Sequence, residues 1–266
     1  MSDADRFTRA FETVGEDFDR LGVHLWFPIG SAAVEAVAPA PGDRVLDACC
    51  GTGASALPAA RRVGDTGALD AVDVSGPLIE VLRAKSGDLA NLRAHVADVT
   101  TWPGADYDIV QAVLGIFFFP DMTAGTEYLI NRLRPGGRAG FTIWRRGAMV
   151  RAGEHLHDAL AKVTGVPAQP RPSRLIDDLN EPEPFRAWLT ERGLRDVTVT
   201  ENPLRVPMTP DLAWLVVTGS GYRGVLADLD AGQVEAVRAA YLEALARDGL
   251  DELDATTLVG VGVRPA

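Results

Sequence analysis

The stretch that decides the fold is residues 45–53, which read Val-Leu-Asp-Ala-Cys-Cys-Gly-Thr-Gly. The apolar start predicts a short strand over 44–48, and the pattern after the glycines predicts a helix over 54–63. Glycine lets the backbone pass close to a ligand, and the first turn of a helix presents N–H groups that have no partner within the helix. The stretch therefore predicts a strand–turn–helix unit whose turn binds a ligand.

The same alternation continues towards the C-terminus. Further strands are predicted over 68–74, 92–98, 108–114 and 138–144. Ser75 and Asp121 are predicted to begin the helices after the second and fourth strands, and Arg134-Pro135-Gly136-Gly137 is predicted to be a reverse turn. Strands that alternate with helices in this way favour a parallel sheet with helices on both faces.

The flanking segments are mostly helical. On the N-terminal side, apolar residues at spacings of three and four predict an amphipathic helix over 4–21, followed by a short helix over 31–38. On the C-terminal side the pattern predicts helices over 151–164, 184–193 and 211–247, strands over 195–206 and 256–263, and a proline-rich irregular loop over 165–184.

Composition narrows the class of protein. The chain has 266 residues with 37 acidic and 26 basic side chains, a formal net charge of −11. That charge argues against a nucleic-acid partner, which needs clustered Lys and Arg, and against docking on an anionic membrane. Cys49 and Cys50 are neighbours and cannot form a disulfide framework, and the polar residues 1–9 do not look like a signal peptide. We therefore expect a cytoplasmic protein of enzyme size.

The glycine turn is open to two interpretations. Residues 51–56 satisfy the dinucleotide-binding pattern G-x-G-x-x-A, and Asp73 ends the second strand, where an acid can accept hydrogen bonds from ribose hydroxyls. Three features argue against a dinucleotide as the ligand. Asp47 lies at the tip of the first strand, where a carboxylate repels a pyrophosphate but suits an ammonium group. Asp98 ends the third strand, where it can accept a hydrogen bond from an adenine amine, and residues 134–137 form a turn that dehydrogenases do not need.

These residues resemble the class I S-adenosylmethionine-dependent methyltransferases. The D-x-x-x-G-x-G turn, the acid of the second strand, the Ala97-Asp98-Val99 element and the Pro-Gly-Gly turn carry the resemblance, which covers residues 40–145. Residues 113–121 and 141–144 look like the branch that contains quinone-biosynthesis and natural-product methyltransferases. That branch often has Gln where this chain has Val113, and Pro58 inside the first helix is a second departure.

The elements and the resemblance together predict an α/β fold with a three-layer, Rossmann-like sheet of seven mostly parallel strands and an antiparallel last strand. The expected organisation is a single domain over residues 1–266. Residues 1–40 would form an N-terminal helical lid and residues 41–145 the cofactor-binding core. Residues 146–266 would form a C-terminal helical substrate cap and the last strands.

The resemblance implies roles in binding S-adenosylmethionine. Asp47 would face the methionine ammonium group, the backbone of residues 48–53 would wrap the methionine and ribose, and Asp73 would hold the ribose hydroxyls. Val74, Asp98 and Val99 would contact the adenine, and Ala112 and Val113 would line the methionine end. Trp26 would face the sulfonium through a cation–π contact. The cofactor-binding residues expected in this way are Trp26, Asp47, Ala48, Cys49, Gly51, Gly53, Asp73, Val74, Asp98, Val99, Ala112 and Val113.

The acceptor side is predicted from aromatic and ionisable residues. Phe117 and Trp144 follow the fourth and fifth strands at their carboxyl ends, where ligands bind in open α/β sheets. Together with Phe27, which neighbours an aromatic cluster, they are expected to contact the substrate. His24 and His155 are candidate catalytic bases for an acceptor that must lose a proton.

The predicted reaction is methyl transfer from S-adenosylmethionine to an O, N or C atom of a small apolar or aromatic molecule, because aromatic residues line the expected pocket. His155 and His157 are two residues apart and lie on different faces of a helix, so no metal site is expected. Two alternatives remain open at this point. The fold could bind the cofactor and catalyse a cyclisation or decarboxylation, or it could be a non-catalytic cofactor-binding partner protein.

Overall fold

A seven-stranded sheet lies at the centre of the computed structural model, which describes residues 15–167 and 173–266. The described strands are β1 (Arg44–Ala48), β2 (Ala68–Asp73), β3 (Leu92–Val96), β4 (Tyr107–Val113), β5 (Leu133–Trp144), β6 (Arg195–Asn202), β7 (Arg205–Pro207), β8 (Glu252–Asp254) and β9 (Thr257–Val263). The order in the sheet is β3-β2-β1-β4-β5-β9-β6, and β9 is antiparallel to both β5 and β6. The predicted mostly parallel sheet with a reversed last strand is confirmed.

The direction in which the sheet grows reverses between β3 and β4. From β1 the chain adds β2 and then β3 on one side, and it then returns to add β4 on the other side of β1. In open α/β sheets a ligand-binding crevice forms at the carboxyl ends of the strands at such a switch point. The glycine turn follows β1 directly and therefore lies at this crevice.

Helices cover both faces of the sheet, and those at residues 150–164, 210–218 and 231–247 form a separate group that we call the cap. The helices are α1 (Gly15–Gly22), α2 (Trp26–Val37), α3 (Ala56–Val63), α4 (Gly76–Lys85), α5 (Met122–Ile130), α6 (Val150–Thr164), α7 (Leu175–Leu179), α8 (Pro182–Glu191), α9 (Pro210–Thr218) and α10 (Ala231–Arg247). Val45 of β1 packs in a core cluster with α2, α3 and α4, whereas its neighbour Leu46 packs in a cluster with α5 and α8. The result is the predicted three-layer arrangement. Among the described residues, none of these helices has both the length and the apolar character needed to cross a bilayer.

Two predicted helix starts are confirmed by their hydrogen bonds. Ser75 Oγ accepts from the backbone N–H of Leu78 at 3.4 Å before α4, and Asp121 Oδ1 accepts from the N–H of Ala124 at 2.9 Å before α5. Each side chain satisfies an N–H group that has no partner in the first helical turn. The cap at Ser75 fixes the end of β2 where the chain enters the crevice.

A third apolar cluster joins the N-terminal helices to the cap. It contains Leu25 and Ile29 from the segment before β1, together with Leu156, Val216 and Tyr241 of α6, α9 and α10. The segments before β1 and after β5 therefore pack against each other. Within the cap, β7 and β8 pair as a separate two-stranded antiparallel sheet.

Two predictions about strands are wrong. Residues 134–137 lie within β5 rather than in a separate turn. Gly136 has a φ of 76° there, and the pairing with β4 shifts from Tyr107–Leu133 to Ile109–Arg138. The predicted strand over 195–206 is divided into β6 and β7, which belong to different sheets.

Helices are more extensive than predicted. α2 begins at Trp26 rather than at residue 31, with Pro28 in its first turn, where the missing N–H leaves no bond unmade. The segment predicted as an irregular loop over 165–184 contains α7 and the start of α8, which has Pro182 at its first position. Of the predicted helix over 4–21, the structure shows α1, and residues 4–14 lie outside the described residues.

Candidate active site

A cavity of about 1420 Å³ opens at the carboxyl ends of the central strands. One side of it is formed by the segments that follow β1, β2, β3 and β4 and by the end of β5. The other side is formed by α1, α2, α6 and the short 3₁₀ helix Gly221–Leu226. The site is thus enclosed between the sheet and the cap, at the switch point of the fold.

The glycine turn is held against the end of β2. Asp73 Oδ2 accepts from the N–H of Gly51 at 2.9 Å, and Asp73 Oδ1 accepts from the N–H of Ser75 at 2.9 Å. Burial raises the pKa of Asp73, although these hydrogen bonds act to lower it. Gly51 and Gly53 have φ values of 53° and 93°, and a Cβ on Gly53 would lie 2.5 Å from Leu82 Cδ1. The turn therefore requires glycine at Gly53 for both conformation and space.

Asp47 is fully buried directly behind this turn. Its Oδ2 accepts from Ser55 Oγ at 2.7 Å and from Gln111 Nε2 at 3.1 Å. Its Oδ1 has no hydrogen-bond partner within the described part of the chain, and the same is true of Gln111 Oε1 and Thr52 Oγ1. Burial raises the pKa of Asp47 to about 7, against the lowering effect of its two hydrogen bonds. Asp47 itself does not line the cavity, but Ser55 and Thr52 do.

The end of the cavity next to β2 and β3 combines apolar and acidic groups. Val74, Asp98 and Val99 all line it, and Val74 is 54% exposed. Asp98 Oδ1 caps the 3₁₀ helix Val99–Thr101, accepting from the backbone N–H and the hydroxyl of Thr100 at 2.8 and 2.7 Å. A flat, apolar ring with a hydrogen-bond donor at its edge suits this end of the cavity.

Of the three N-terminal residues predicted to act at the site, His24, Trp26 and Phe27, one lines the cavity. Trp26 lines the cavity and stacks on Phe18, with the ring centroids 4.9 Å apart, and its Nε1 is buried without a partner among the described residues. Phe27 does not line the cavity and instead lies beneath the ammonium group of Lys85, 4.9 Å from the ring centroid. His24 is exposed at the surface, outside the cavity.

Several residues predicted to bind the cofactor are buried behind the cavity wall and do not line the cavity. Ala48, Gly53 and Ala112 are buried but do not line the cavity, whereas Cys49, Gly51 and Val113 do. Burial raises the pKa of the Cys49 thiol well above its usual range, and nearby carboxylates raise it further. Cys49 is therefore a neutral wall residue and a poor nucleophile.

The acceptor side has one aromatic and one polar wall. Phe117 and Trp144 line the cavity as predicted, together with Phe118 and Phe119. α6 adds to the lining a polar stripe at helical spacing, formed by Arg151, Glu154, His155 and Asp158. His155 is 8% exposed, and its Nε2 lies 3.5 Å from Asp248 Oδ2. No group of three or more His, Cys, Asp or Glu side chains suited to a metal occurs in residues 15–167 and 173–266.

Sequence reasoning missed several residues that shape the site. Asp248, Tyr222 and Phe18 line the cavity, and no local motif marks them. Gln111 did carry a signal, because it is the polar residue in an otherwise apolar central strand. It hydrogen-bonds to Asp47 across β1 and β4, which pair at these two positions.

The residues present fit S-adenosylmethionine. The glycine turn leaves room for backbone contact, and the carboxylate of Asp73 lies where ribose hydroxyls need an acceptor. Asp47 lies behind the lining with one oxygen unpartnered among the described residues; when ionised it would attract an ammonium group nearby and repel a pyrophosphate. The geometry thus favours the sulfonium nucleoside over a dinucleotide.

Comparison with known proteins agrees with this geometry. Residues 45–137 match a family described as a methyltransferase domain. The chain is 31% identical over 190 residues to aklanonic acid methyltransferase DauC of Streptomyces sp. (strain C5), covering 68% of this chain and 84% of that protein. It is 31% identical over 136 residues to nocamycin O-methyltransferase of Saccharothrix syringae, covering 50% of this chain and about half of that protein, 49%.

Solved structures show the same fold at low identity. The YcgJ protein from Bacillus subtilis has a TM-score of 0.58 and 16% identity, covering 89% of this chain and 98% of that chain. The [4+2]-cyclase SpnF has a TM-score of 0.55 and 15% identity, covering 90% and 81%. The match to DauC extends over most of both proteins, and it shows that this chain belongs to the class I S-adenosylmethionine-dependent methyltransferases.

Proposed function

We propose that this enzyme transfers the methyl group of S-adenosylmethionine to an O, N or C atom of a small apolar or aromatic molecule. The main support for the proposal is that a single cavity is lined both by residues expected to bind the methyl donor and by residues expected to bind the acceptor. Its lining runs from the acidic end at Asp73 and Asp98 to the aromatic wall at Phe117 and Trp144. A donor at one end and an acceptor at the other would meet in the same enclosed space.

The donor would be held by contacts along the crevice. Each oxygen of Asp73 already accepts one backbone hydrogen bond, and a carboxylate has lone pairs left for the ribose hydroxyls. Asp47 does not line the cavity, so its Oδ1 would accept from the ammonium group through a water molecule. Val74 and Val99 would pack on the adenine, and Asp98 would accept from its amine. Trp26 would lie beside the sulfonium.

The bound donor supplies a methyl group on a positively charged sulfur, which is already activated for displacement. The contribution of the protein is then to position the acceptor in line and to keep water out. Phe117 and Trp144 offer flat apolar surface for an acceptor ring, which supports an aromatic substrate. Two relatives are named for aklanonic acid and nocamycin, which also supports a small organic acceptor.

Composition supports a narrower inference about setting. A net charge of −11 disfavours nucleic acid and anionic membranes as partners, and two adjacent cysteines fit a reducing compartment. We infer that the enzyme acts on free small molecules in the cytoplasm.

The test is methyl transfer by the purified protein to matched probes. 2-Naphthol, 2-naphthylamine and 2-naphthoic acid share a ring system and differ in the accepting group. We expect release of S-adenosylhomocysteine together with a methylated product from at least one of them. Asp73→Asn should weaken the binding of S-adenosylhomocysteine, while the exposed control Asp228→Asn should not.

The same experiment separates the alternatives. An altered product without release of S-adenosylhomocysteine would mean that the fold runs a non-methylating reaction. Binding of the nucleoside without turnover of any probe by the intact enzyme would count against an aromatic acceptor.

A further inference from the structure

Two side chains from different helices meet on the acceptor side of the cavity. His155 lies on α6, and Asp248 follows the last residue of α10. His155 Nε2 lies 3.5 Å from Asp248 Oδ2, both residues line the cavity, and His155 is 8% exposed. Nδ1 of His155 makes no hydrogen bond to any described residue. The imidazole thus has a carboxylate beside Nε2 and, among the described residues, no hydrogen-bond partner at Nδ1.

We propose that His155, oriented by Asp248, accepts the proton of a hydroxyl group on the methyl acceptor. The acceptor class that this assigns is a phenol or an enol rather than a carboxylic acid. The inference rests on the methyl transfer proposed above, and it adds a catalytic residue, His155, and a positioning residue, Asp248.

The chemistry balances with the groups present. The acceptor oxygen forms a bond to the methyl carbon, the carbon–sulfur bond of the donor breaks with its electron pair going to sulfur, and the hydroxyl proton goes to Nδ1 of His155. A neutral phenol is a weak nucleophile until it loses this proton. A carboxylate is ionised near neutral pH and has no proton to give, so it would not need the pair.

Charged and titratable groups surround His155 on the elements that line this part of the cavity. They come from α6, from α10 and its end, and from the 3₁₀ helix: Arg151, Glu154, His157, Asp158, Tyr222, Tyr241, Arg247 and Asp248. The carboxylates outnumber the cations that line the cavity here, and Arg247 binds the other oxygen of Asp248, Oδ1, at 3.2 Å. Asp248 also caps α10, whose C-terminal dipole attracts positive charge.

Other candidate bases on the described chain are less suitable. His24 is exposed and lies outside the cavity. His157 is exposed and its Nδ1 is 2.7 Å from the carbonyl oxygen of Gly153. Tyr222 donates its hydroxyl to the carbonyl of Met149 at 2.7 Å, and burial raises its pKa. His155 is thus the buried imidazole in the described lining of the cavity.

The decisive experiment compares an oxygen and a sulfur acceptor. 2-Naphthol must lose a proton to react, whereas 2-naphthalenethiol is largely ionised at pH 8. His155→Gln should lower kcat for 2-naphthol by about 10²-fold or more, the usual contribution of a general base. It should leave kcat for the thiol and the affinity for S-adenosylhomocysteine nearly unchanged. The matched control His24→Gln should behave as the parent enzyme with both probes. Equal losses on both probes would overturn the assignment, because they would indicate a structural role.

A second measurement needs no turnover and so stands apart from the proposed function. NMR nitrogen shifts of the His155 imidazole report which ring nitrogen carries the proton in the enzyme without acceptor. A carboxylate beside Nε2 favours a proton on that nitrogen, so Asp248→Asn should lower the share of the Nε2–H tautomer. It should also lower kcat for 2-naphthol more than kcat for 2-naphthalenethiol. An unchanged tautomer ratio would show that Asp248 does not orient His155, whether or not the naphthalene probes are methylated.

Discussion

Ser55 donates a hydrogen bond of 2.7 Å to Asp47, beneath the turn that the cofactor must contact. The hydroxyl of Ser55 is drawn inward by this bond and does not cap α3, which it precedes. Asp47 is thereby satisfied at one oxygen and left without a partner at the other among the described residues. A buried acid in this state is poised between its neutral and ionised forms.

Donor affinity should depend on pH through Asp47. Burial raises its pKa to about 7 in the unliganded protein, and a cationic ammonium group binds best to the ionised form. Binding then releases a proton, and the affinity for S-adenosylhomocysteine should be about tenfold higher at pH 8 than at pH 6. Calorimetric titration in two buffers of different ionisation enthalpy measures both the affinity and the proton released. Asp47→Asn should bind weakly and show no such pH dependence; a flat affinity in the parent enzyme would contradict the assignment.

Asp47 should also lower the stability of the folded protein at high pH. Because burial raises the pKa of Asp47 above the ordinary value of an aspartate, the folded protein holds this proton more tightly than the unfolded chain does. The stability this contributes is complete below pH 4 and is lost as the pH rises towards 7. Asp47→Asn removes the buried charge, so it should melt at a higher temperature than the parent at pH 8 and not at pH 5. Calorimetry at both values checks this, and an equal difference at the two would rule out the electrostatic cause.

The central sheet was predictable because parallel strands buried on both faces read as continuous apolar runs. Residues 45–48 and 109–114 are apolar except for Asp47 and Gln111, and both runs coincide closely with β1 and β4. Asp73 and Asp98 were predictable as well, since the carboxyl ends of these strands meet at one edge. The position of residues 134–137 within β5 was not predictable, because proline and glycine signal a turn locally. In the structure they lie where the pairing of β5 with β4 is interrupted, and the backbones of Gly136 and Gly137 hydrogen-bond to Arg264.

The acceptor side could not be derived in the same way. Trp26 and Phe27 are neighbours, but on a helix their side chains leave about 100° apart, and the sequence did not show that α2 includes them. One of the two therefore reaches the cavity and the other reaches Lys85. His155 and Asp248 are brought together only by the packing of α6 on α10, which no local pattern encodes.

Gly30 should be essential to the glycine turn although it lies on α2. A Cβ at Gly30 would come within 2.4 Å of the carbonyl oxygen of Ala54, so α2 would be pushed away from the turn. Gly30→Ala should destabilise the fold by about 1–3 kcal/mol, as overpacking commonly does, and weaken binding of S-adenosylhomocysteine. Gly87→Ala is the matched control, because a Cβ there meets nothing within 4 Å. Denaturant unfolding and calorimetric titration measure the two effects. If Gly30→Ala matched Gly87→Ala in both, the contact with Ala54 would be unimportant.

Asp254 should anchor the cap to the end of β5. It accepts hydrogen bonds from Arg205 at 2.6 Å, from Arg145 at 2.8 Å and from the N–H of Thr256 at 2.9 Å. Burial acts to raise the pKa of Asp254, but the hydrogen bonds from Arg205, Thr256 and Arg145 outweigh it and hold the pKa well below its usual range. The stabilisation is therefore present above about pH 4 and is lost as the pH falls below that value.

Asp254→Asn should accordingly lower the melting temperature at pH 7, with the difference from the parent shrinking as the pH falls below 4. The side chain of Asp254 binds Arg145, the residue after Trp144, and its backbone carbonyl accepts from the N–H of Met149. Trp144 and Met149 both line the cavity, so the substitution should also loosen its acceptor side. Asp228→Asn is the control, since Asp228 is exposed and forms no ion pair among the described residues. Hydrogen exchange at the backbone amide of Met149, which donates to Asp254 at 2.8 Å, should accelerate in Asp254→Asn and not in the control. Unchanged exchange at Met149 together with a lower melting temperature would place the loss of stability elsewhere than at the junction of cap and sheet.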